Sequence, residues 1–386
     1  MTRRLRVLQI ANQPGPLRLF MLPVCRAMHE AGARVELACM KTGANYQPLT
    51  EAGFPIHDLT PGRWSNLLTW DRTYRQVRSL LRRRRYDLMV AHTPAMSWIA
   101  RLAARELVAA SVYLAHGLAF TPQESAPRRW LLRRAEEFVG QYTDAVLVMN
   151  EADAEACRKF QLTRRGGQWF KIPGVGIDVG AFSAGLGEDA QEQLDAEMGL
   201  SPDRPVVLYL GRFIATKRPR DILELARRTG GEVDFILAGE GPLWRRIKRQ
   251  AASVGAHVRV LGWTEQAVQL VQRCTLVAFP SVFREGLPRL LLEAQAAGKP
   301  VVAYDVRGSS DAIDDQRTGL LVQAGDVGGF CDAGMRLLAD EEMRRRMGAA
   351  GRKRAREEFS LEASIAAQLR ALAEVLKSKG INSPWD

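Results

Sequence analysis

The sequence is poor in cysteine and has no long hydrophobic run. Its five cysteines in 386 residues include no close pair, so the spacing suggests neither a zinc site nor a disulfide framework. Charge interrupts the longest apolar stretches, as at Arg101 and Arg105, so none of them is predicted to span a bilayer. The basic start runs directly into a short strand, without the small-residue cleavage site of a signal peptide. These absences favour a protein of a reducing cytoplasm.

Signatures of nucleic-acid-binding proteins are also missing. The sequence contains no zinc-finger spacing, no aromatic RNA-recognition signature and no heptad repeat with a basic region. The net charge is nevertheless +12, which suits nucleic acid, an anionic membrane surface or a phosphorylated substrate. A basic nucleic-acid-binding protein therefore stays open as a non-enzyme alternative, supported by charge alone.

Short apolar strands alternate with helices in two series, which predicts two parallel α/β lobes with helices on both sheet faces. Each series contains five predicted strands, which begin with "LRVLQIA" in the first and "PVVLYLGR" in the second. We expect ligands beyond the carboxyl ends of these strands. The predicted divisions are a first lobe over 1–178, a linker over 179–204, a second lobe over 205–358, and a carboxy-terminal helix over 359–386 that crosses back toward the first lobe.

The segment "PSVFREGLPRLLLEAQAAG" has features of an anion site. Gly286 gives the loop backbone freedom, and Pro288 suits the first position of the helix that follows. The free amides of Gly286, Leu287 and Arg289 are expected to gather at the positive end of that helix, where anions bind. A phosphate group is the ligand that this arrangement favours.

Two carboxylates bracket the predicted anion site. Glu285 precedes Gly286, and Glu293 lies on the helix with its side chain leaning back toward the helix start. Ionised carboxylates accept hydrogen bonds from hydroxyl-rich groups such as sugars. The same residues also fit a helix cap followed by a solvated glutamate, and the spacing does not separate the two interpretations.

A second candidate segment is "LYLGRFIATKRP", which follows the first strand of the second lobe. Arg212 and Lys217 lie in its loop, where two cations would grip a diphosphate from the side opposite the helix amides. Fixed cations stabilise the negative charge that grows on a leaving diphosphate. A basic surface loop is the alternative, because this chain has many basic residues.

These motifs occur in an order that resembles the retaining GT-B glycosyltransferases of glycosyltransferase family four. The resemblance rests on Glu285 and Glu293 with seven residues between them, on "GR" followed by Lys217, on "AGEGPL" and on "KPVVAYDVRG". It covers nearly the whole chain. In the first lobe, "VAHTPAMSWIARLAAR", "AHGLAF" and "YTDAVLVMNEAD" look like the bacterial branch that builds capsule, exopolysaccharide and O-antigen repeats. The fold implied is GT-B, two Rossmann-like lobes whose parallel sheets face each other across a cleft.

The resemblance implies a retaining transfer of a hexosyl or N-acetylhexosaminyl group, without a metal or other cofactor. Glu285 would contact the donor sugar, Glu293 the ribose hydroxyls, and Arg212 with Lys217 the diphosphate. The absence of an Asp-x-Asp motif beside a strand agrees with protein cations taking the role of a metal. The commoner family loop has a second glycine between the two glutamates, whereas Pro288 and Arg289 stand here. A UDP-sugar is expected in preference to a GDP-sugar.

In the first lobe the resemblance singles out two residues. Gly15, in the first loop, would let the backbone approach the donor phosphate. His116, at the end of "SVYLAHG", matches the family's active-site histidine, which faces the sugar and the acceptor. Without the family context, a buried structural histidine would be the better interpretation of His116. His92 also follows a strand, and we assign it a structural role.

The acceptor is predicted to be a saccharide on a polyprenyl diphosphate at the inner face of the cell membrane. Basic residues with interleaved apolar side chains occur near Arg82–Arg85 and at Arg128–Arg134, a pattern that suits an anionic lipid surface. The predicted protein is therefore cytoplasmic and peripheral to the membrane. Solvated helix faces are the alternative for these segments. An epimerase or a phosphorylase with the same two-lobed fold is the alternative activity.

Overall fold

The computed structural model describes residues 4–43, 45–60, 67–122, 124–282 and 285–385. It divides into two compact units. The first unit combines Met1–Gly176 with Leu361–Asp386, and the second unit is Ile177–Ser360. Each unit is built on its own parallel sheet.

In its described residues, the first unit contains seven strands and a set of covering helices. A π-helical turn at Leu17–Met21 joins the first two helices. The strands are β1 (Arg6–Ile10), β2 (Arg34–Met40), β3 (Ile56–Leu59), β4 (Leu88–His92), β5 (Ala110–Leu114), β6 (Ala145–Val148) and β7 (Gln168–Lys171). The helices are α1 (Pro14–Pro16), α2 (Leu22–Glu30), α3 (Tyr46–Thr50), α4 (Leu67–Arg84), α5 (Pro94–Ala104), α6 (Ala126–Gly140), α7 (Glu151–Lys159) and the carboxy-terminal α17 (Leu361–Lys377).

The described part of the second unit contains six strands. A 3-10 turn at Ala215–Lys217 follows the first of them. The strands are β8 (Val206–Leu210), β9 (Asp234–Ala238), β10 (Val258–Leu261), β11 (Leu276–Phe279), β12 (Val301–Asp305) and β13 (Gly319–Gln323). The helices are α8 (Val179–Ser183), α9 (Glu188–Met198), α10 (Pro219–Arg228), α11 (Trp244–Ala252), α12 (Ala267–Arg273), α13 (Arg289–Ala296), α14 (Ser309–Ala312), α15 (Val327–Ala339) and α16 (Glu341–Glu358).

Both sheets have the strand order of a Rossmann-like fold. The order is β3-β2-β1-β4-β5-β6-β7 in the first unit and β10-β9-β8-β11-β12-β13 in the second. Central strands such as β1, β4 and β5 are buried along nearly their whole length because helices cover both faces of the sheet. The prediction of two Rossmann-like parallel α/β lobes is confirmed. All these strands are parallel, but the direction in which successive strands are added across the sheet reverses between β1 and β4 and between β8 and β11. Ligands bind beyond such reversal points.

The residues predicted as a linker, 179–204, form the helices α8 and α9 within the second unit. Helix α8 packs against α12 and α13, and Phe182 and Leu194 are buried. Asp195 also accepts a 2.7 Å hydrogen bond from Nε of Arg273. The polar composition of this segment reflects its exposed helix faces. At the other end of the chain, α17 belongs to the first unit, where it packs against α2.

A buried carboxylate ties together three strands of the first unit. Glu36 on β2 accepts hydrogen bonds from Tyr86 at 2.6 Å and from His57 at 2.7 Å. Arg34 and Arg6 complete the cluster at 3.1 Å and 3.5 Å. Burial raises the pKa of Glu36, but the hydrogen bonds from Tyr86 and His57 and the nearby positive charge outweigh it and lower the pKa from 4.5 to about 2.

We expect the Glu36 cluster to make stability depend on pH in acid. Because the folded pKa is depressed, the contribution is complete above pH 4.5 and is lost as the pH falls toward 2. Glu36→Gln should therefore reduce the fall in unfolding free energy between pH 5 and pH 2 by about 3 kcal/mol. Urea unfolding at several pH values measures this, with the exposed Glu30→Gln as control. Equal pH dependence in both variants would contradict the assignment.

Candidate active site

Two loops of the second unit meet at the carboxyl ends of β8 and β11. Lys217, at the end of the 3-10 turn after β8, donates a hydrogen bond from Nζ to Oε1 of Glu285. The Lys217 ammonium also lies 4.9 Å from the centroid of the Phe279 ring, at the end of β11. Nearby, the amide of Val282 donates to the carbonyl of Thr216 at 2.8 Å. The structure thus joins two residues that the sequence singled out 68 positions apart.

Two glycines of the "AGEGPL" segment allow a third loop to pack against the loop after β8. Gly239 has φ 141° and Gly241 has φ 151°. A Cβ atom on Gly239 would overlap the carbonyl oxygen of Gly211, and one on Gly241 would lie 2.6 Å from that of Phe213. The amide of Phe213 in turn donates to the carbonyl of Glu240 at 2.8 Å. These close backbone contacts fix the start of the segment that carries Arg212 and Lys217.

We expect Gly239→Ala to destabilise the protein by about 3 kcal/mol, because backbone strain adds to a clash that no side-chain rotation relieves. Gly262→Ala is the matched control, since a Cβ there meets nothing within 4 Å. Its cost should be below about 1 kcal/mol. Urea unfolding of both variants gives the comparison, and equal costs would show that the close contact is not needed.

The helix that carries Glu293 begins one residue later than predicted. Pro288 is the N-cap of α13 and not its first residue, with φ −68° and ψ 113°. Extended geometry is usual for a cap, so the helix starts at Arg289. Arg289 pairs with Glu293 at 3.0 Å across one turn. Burial raises the pKa of Glu293, and the charge of Arg289 and its hydrogen bond offset this rise only in part.

The remaining donor-side candidates lie close to the same sheet edge. Arg212 follows β8 by two residues and is exposed. Gly286 and Leu287 lie between Glu285 and α13, and both are buried. A Cβ atom on Gly308, in the loop after β12, would lie 2.9 Å from the carbonyl oxygen of Gly286. The loop of Glu285 is thus supported from a third strand of the sheet.

In the first unit, Gly15 lies in a helix where a loop was expected. It is the middle residue of α1, which begins four residues after the end of β1, and its φ is not positive. A Cβ atom there would lie 3.5 Å from Asn45, an ordinary contact distance. The prediction of an open loop at Gly15 is wrong because Pro14 and Pro16 fit the start of a helix. The position still follows the strand that borders the reversal point of the sheet.

His116 and His92 form one hydrogen-bonded cluster with Gln9. Nδ1 of His92 lies 3.3 Å from Nε2 of His116, and Nε2 of His92 lies 2.7 Å from Oε1 of Gln9. The ring of His116 also packs against Phe20, with the centroids 5.6 Å apart. Burial lowers the pKa of His116 to about 4. Burial, followed by the charge of His116, lowers the pKa of His92 well below 6.5, so both rings are neutral at pH 7.

The sequence predictions did not include Gln9. It lies on β1 among apolar residues and is almost completely buried. A single polar residue inside an apolar strand is an available signal, because buried polar groups need a partner. Gln9 pairs in register with Val90, and His92 lies two residues further along β4. Side chains two residues apart share a sheet face, so Gln9 and His92 meet.

The described residues contain neither a cluster of metal ligands nor a helix that could span a membrane. No group of three or more His, Cys, Asp or Glu residues in this part of the chain lies close enough to hold a metal ion. Within the same residues, no helix combines the length and the apolar character needed to cross a membrane.

Two protein-family models match the chain, one for each series of strands. The model described as "Glycosyl transferase 4-like domain" matches residues 18–166. The model described as "Glycosyl transferases group 1" matches residues 190–354. The second match contains Arg212, Lys217, Glu285 and Glu293, and the first contains His92 and His116.

Several known proteins are similar to the chain over most of its length. EpsD of Bacillus subtilis (strain 168) is 29% identical over 361 residues, which cover 91% of this chain and 92% of EpsD. The UDP-Gal:alpha-D-GlcNAc-diphosphoundecaprenol alpha-1,3-galactosyltransferase of Escherichia coli is 24% identical over 272 residues, which cover 68% of this chain and 69% of that protein. The crystal structure of Anabaena HepE in complex with UDP-glucose superposes with a TM-score of 0.80 at 20% identity, covering 97% of this chain and 100% of HepE. This likeness shows the predicted GT-B fold.

Proposed function

The chain is a glycosyltransferase with a glycosyl transferase 4-like domain followed by a glycosyl transferases group 1 domain, and from this premise we propose its donor, acceptor and mechanism. The donor is a UDP-sugar. The acceptor is a saccharide on a polyprenyl diphosphate, in the assembly of a cell-surface polysaccharide. An epimerase or phosphorylase is not favoured, because both family models describe transferases.

The observation that carries the donor proposal is the meeting of Lys217 with Glu285 beyond β8 and β11. In this proposal Arg212 and Lys217 bind the diphosphate, and the amides of Gly286 and Leu287 lie beside it. Glu285 binds the donor sugar. The relative in Escherichia coli is named for a UDP-Gal donor, and HepE was crystallised with UDP-glucose, which supports a UDP-sugar here.

Further contacts complete the proposed donor site. Glu293 accepts hydrogen bonds from the ribose hydroxyls, and it pairs with Arg289 at 3.0 Å. Gly15 brings backbone close to the donor phosphate. His116 contacts the sugar and the acceptor. The position of each residue in its sheet and the family resemblance support these roles.

The proposed reaction retains the configuration of the anomeric carbon. The acceptor hydroxyl attacks on the face from which the diphosphate departs. The bond between the anomeric carbon and the phosphate oxygen breaks, a glycosidic bond forms, and the acceptor proton passes to the departing diphosphate. Charge grows on the diphosphate during this step, so Lys217 and Arg212 stabilise the transition state more than the ground state.

Helix α6 is the proposed contact with the membrane that presents the acceptor. Trp130, Leu131 and Phe138 are 58%, 61% and 58% exposed, although large apolar side chains are usually covered. Four arginines lie among them, at Arg128, Arg129, Arg133 and Arg134. Glu124 and Glu137 pair with three of these arginines, which reduces the net charge. We therefore expect the apolar side chains to supply much of the membrane affinity.

The segment Arg82–Arg85 differs from α6 in two respects. Its arginines are exposed, but the apolar residues beside them, Leu80 and Leu81, are buried. They also stand at the end of α4, directly before β4 begins, and therefore at the amino edge of the sheet. Helix α6 starts after the carboxyl end of β5, on the same edge as His116. A membrane contact through α6 would thus lie near the proposed acceptor side of the first unit.

We expect Trp130→Ser/Leu131→Ser to lower binding to vesicles that contain anionic phospholipid by at least about tenfold, because burying each side chain is worth about 1.5–3 kcal/mol. Arg82→Gln/Arg83→Gln is the matched control and should lower binding by less than about threefold. Vesicle sedimentation measures both. A larger effect of the α4 variant would assign the membrane contact to the other segment.

A screen of nucleotide sugars tests the proposed function itself. Release of free nucleoside diphosphate is measured with and without a polyprenyl diphosphate-linked saccharide, for the intact chain and for Glu285→Ala. We expect release from one UDP-sugar that requires the lipid-linked acceptor and is lost in the variant. Proton NMR of the product then gives the anomeric configuration. An inverted product, or release that needs no acceptor, would overturn the proposed mechanism.

A further inference from the structure

Hydrogen bonds run from Gln9 through His92 to His116, and we call these three residues the histidine relay. We propose that Gln9 and His92 are positioning residues that hold His116 as the tautomer with its proton on Nε2. Its Nδ1 lone pair is then left to accept a hydrogen bond from a substrate hydroxyl. This inference rests on the role proposed for His116 at the sugar and the acceptor, and it gives His92 more than the structural role expected from the sequence.

The side-chain amide of Gln9 determines which nitrogen donates and which accepts in each hydrogen bond of the relay. Its Nε2 lies 3.8 Å from the sulfur of Met28, and its Oε1 lies 2.7 Å from Nε2 of His92. A thioether sulfur is a weak acceptor, so the amide nitrogen belongs on that side. A carbonyl oxygen only accepts hydrogen bonds, so His92 must carry its proton on Nε2. The tautomer of His92 is therefore assigned by Gln9.

The position of the proton on His116 follows because both histidine rings are neutral. With its proton on Nε2, a neutral His92 has a lone pair on Nδ1. Nδ1 lies 3.3 Å from Nε2 of His116, so His116 donates from Nε2. The His116 ring is also neutral at pH 7. Its other nitrogen, Nδ1, therefore has no proton and acts as an acceptor.

Burial and the contacts of the neighbouring Thr93 hold the relay in place. Gln9 and His92 are almost completely buried, whereas His116 keeps part of its surface accessible. Thr93, directly after His92, has φ 62°, a strained conformation for a β-branched residue. Its hydroxyl donates to the carbonyl of His92 at 2.5 Å and accepts from the amide of Asn12 at 3.3 Å. Strain that the surroundings maintain is typical of functional sites.

Gln9 and His92 lie on the adjacent strands β1 and β4, and His116 follows the next strand, β5. β1 pairs with β4, and β4 pairs with β5, with His92 opposite Leu114. His116 lies two residues beyond Leu114, at the carboxyl edge of the sheet. Side chains on strands of a buried sheet are held more firmly than side chains on loops, which suits residues that position a catalytic group.

Nitrogen NMR of the intact, ligand-free chain tests the tautomer without any turnover. The chain has only five histidines, so 15N-histidine labelling gives few signals, and His92→Asn and His116→Asn assign them. We expect both His92 and His116 to be protonated on Nε2 alone, with Nδ1 of His116 at the chemical shift of an unprotonated nitrogen. A proton on Nδ1 of His116, or a mixture of tautomers, would overturn the proposal.

The functional consequence is tested with Gln9→Met, which preserves side-chain length but has no carbonyl to accept the proton of His92. We expect a mixture of His116 tautomers and a kcat lowered by about 10- to 100-fold, the usual effect of losing an orienting partner. The KM for the donor should change by less than about threefold. Gln368→Met, which replaces another buried glutamine of the first unit, is the control for packing and should leave the tautomers and kcat unchanged.

The outcomes separate this inference from the proposed function. If the chain transfers sugar but Gln9→Met alters neither the His116 tautomer nor kcat, the relay is wrong and the function stands. If the wild-type tautomers are as assigned but no nucleotide sugar is turned over, the arrangement of protons holds and its proposed use is wrong.

Discussion

Replacement of Lys217 by alanine lowers kcat/KM for sugar transfer by about 10²- to 10³-fold. Two effects add. The departing diphosphate loses a cation that stabilises its growing charge, and the Glu285 carboxylate, which pairs with Lys217 in the structure, loses its partner. An unpaired carboxylate beside the proposed phosphate position repels the donor. We therefore expect KM to rise and kcat to fall together, as steady-state kinetics with varied donor would show.

Lys248→Ala is the matched control. This lysine is exposed on α11 of the same unit and lies 4.9 Å from the centroid of the Trp244 ring. Its removal takes away the same charge outside the loops that follow β8 and β11. We therefore expect kcat/KM to change by less than about threefold. Unfolding curves of both variants exclude misfolding. A loss below about tenfold for Lys217→Ala would remove Lys217 from the proposed transition-state contacts.

Replacement of Arg101 by methionine should destabilise the protein by about 3–5 kcal/mol. Arg101 on α5 and Glu136 on α6 are both completely buried and pair at 2.5 Å. Glu136 also accepts a 2.6 Å hydrogen bond from Trp98, and the Arg101 guanidinium lies 4.4 Å from the centroid of the Tyr113 ring. Methionine retains the length of the side chain but leaves the Glu136 carboxylate in the core without its cation.

An exposed ion pair in the same unit provides the comparison. Arg75 and Asp71 on α4 pair at 3.0 Å across one turn, with side chains that are more than half exposed. Arg75→Met should therefore cost less than about 1 kcal/mol. In the double variant Arg101→Met/Glu136→Met we expect part of the loss to be recovered, because no unpaired charge then remains buried. Urea unfolding measures all three, and equal costs for the two single variants would contradict the assignment.

The strands that the sequence did not predict lie at sheet edges. β3 and β7 form the two edges of the first sheet, and β13 forms one edge of the second. Central strands are covered on both faces and read as nearly continuous apolar runs. β3 and β7 have mostly half-buried or exposed residues, so their sequences carry little of that pattern. Their pairing depends on the neighbouring strand, which local sequence does not record.

The candidate site could also be predicted only in part, because the chain pattern does not show which strands are neighbours. Lys217 and Glu285 follow apolar strands and precede helices, so their position beyond the sheet edge follows from the chain pattern. Their direct pairing depends on β8 and β11 being neighbours, which composition alone does not show. Gln9 and His92 meet through strand register. The exposed apolar residues of α6 likewise differ from the buried leucines of α4 only through tertiary packing.

Calorimetric titration of the intact chain with UDP tests the central claim most directly, because it asks whether the second unit holds a nucleoside diphosphate through Lys217 and Glu293. We expect one molecule of UDP to bind each chain, and Lys217→Ala and Glu293→Ala each to weaken binding by at least about tenfold, as the loss of a charged hydrogen bond implies. No binding of UDP to the folded chain, or an affinity in both variants equal to that of the intact chain, would contradict the proposed donor site.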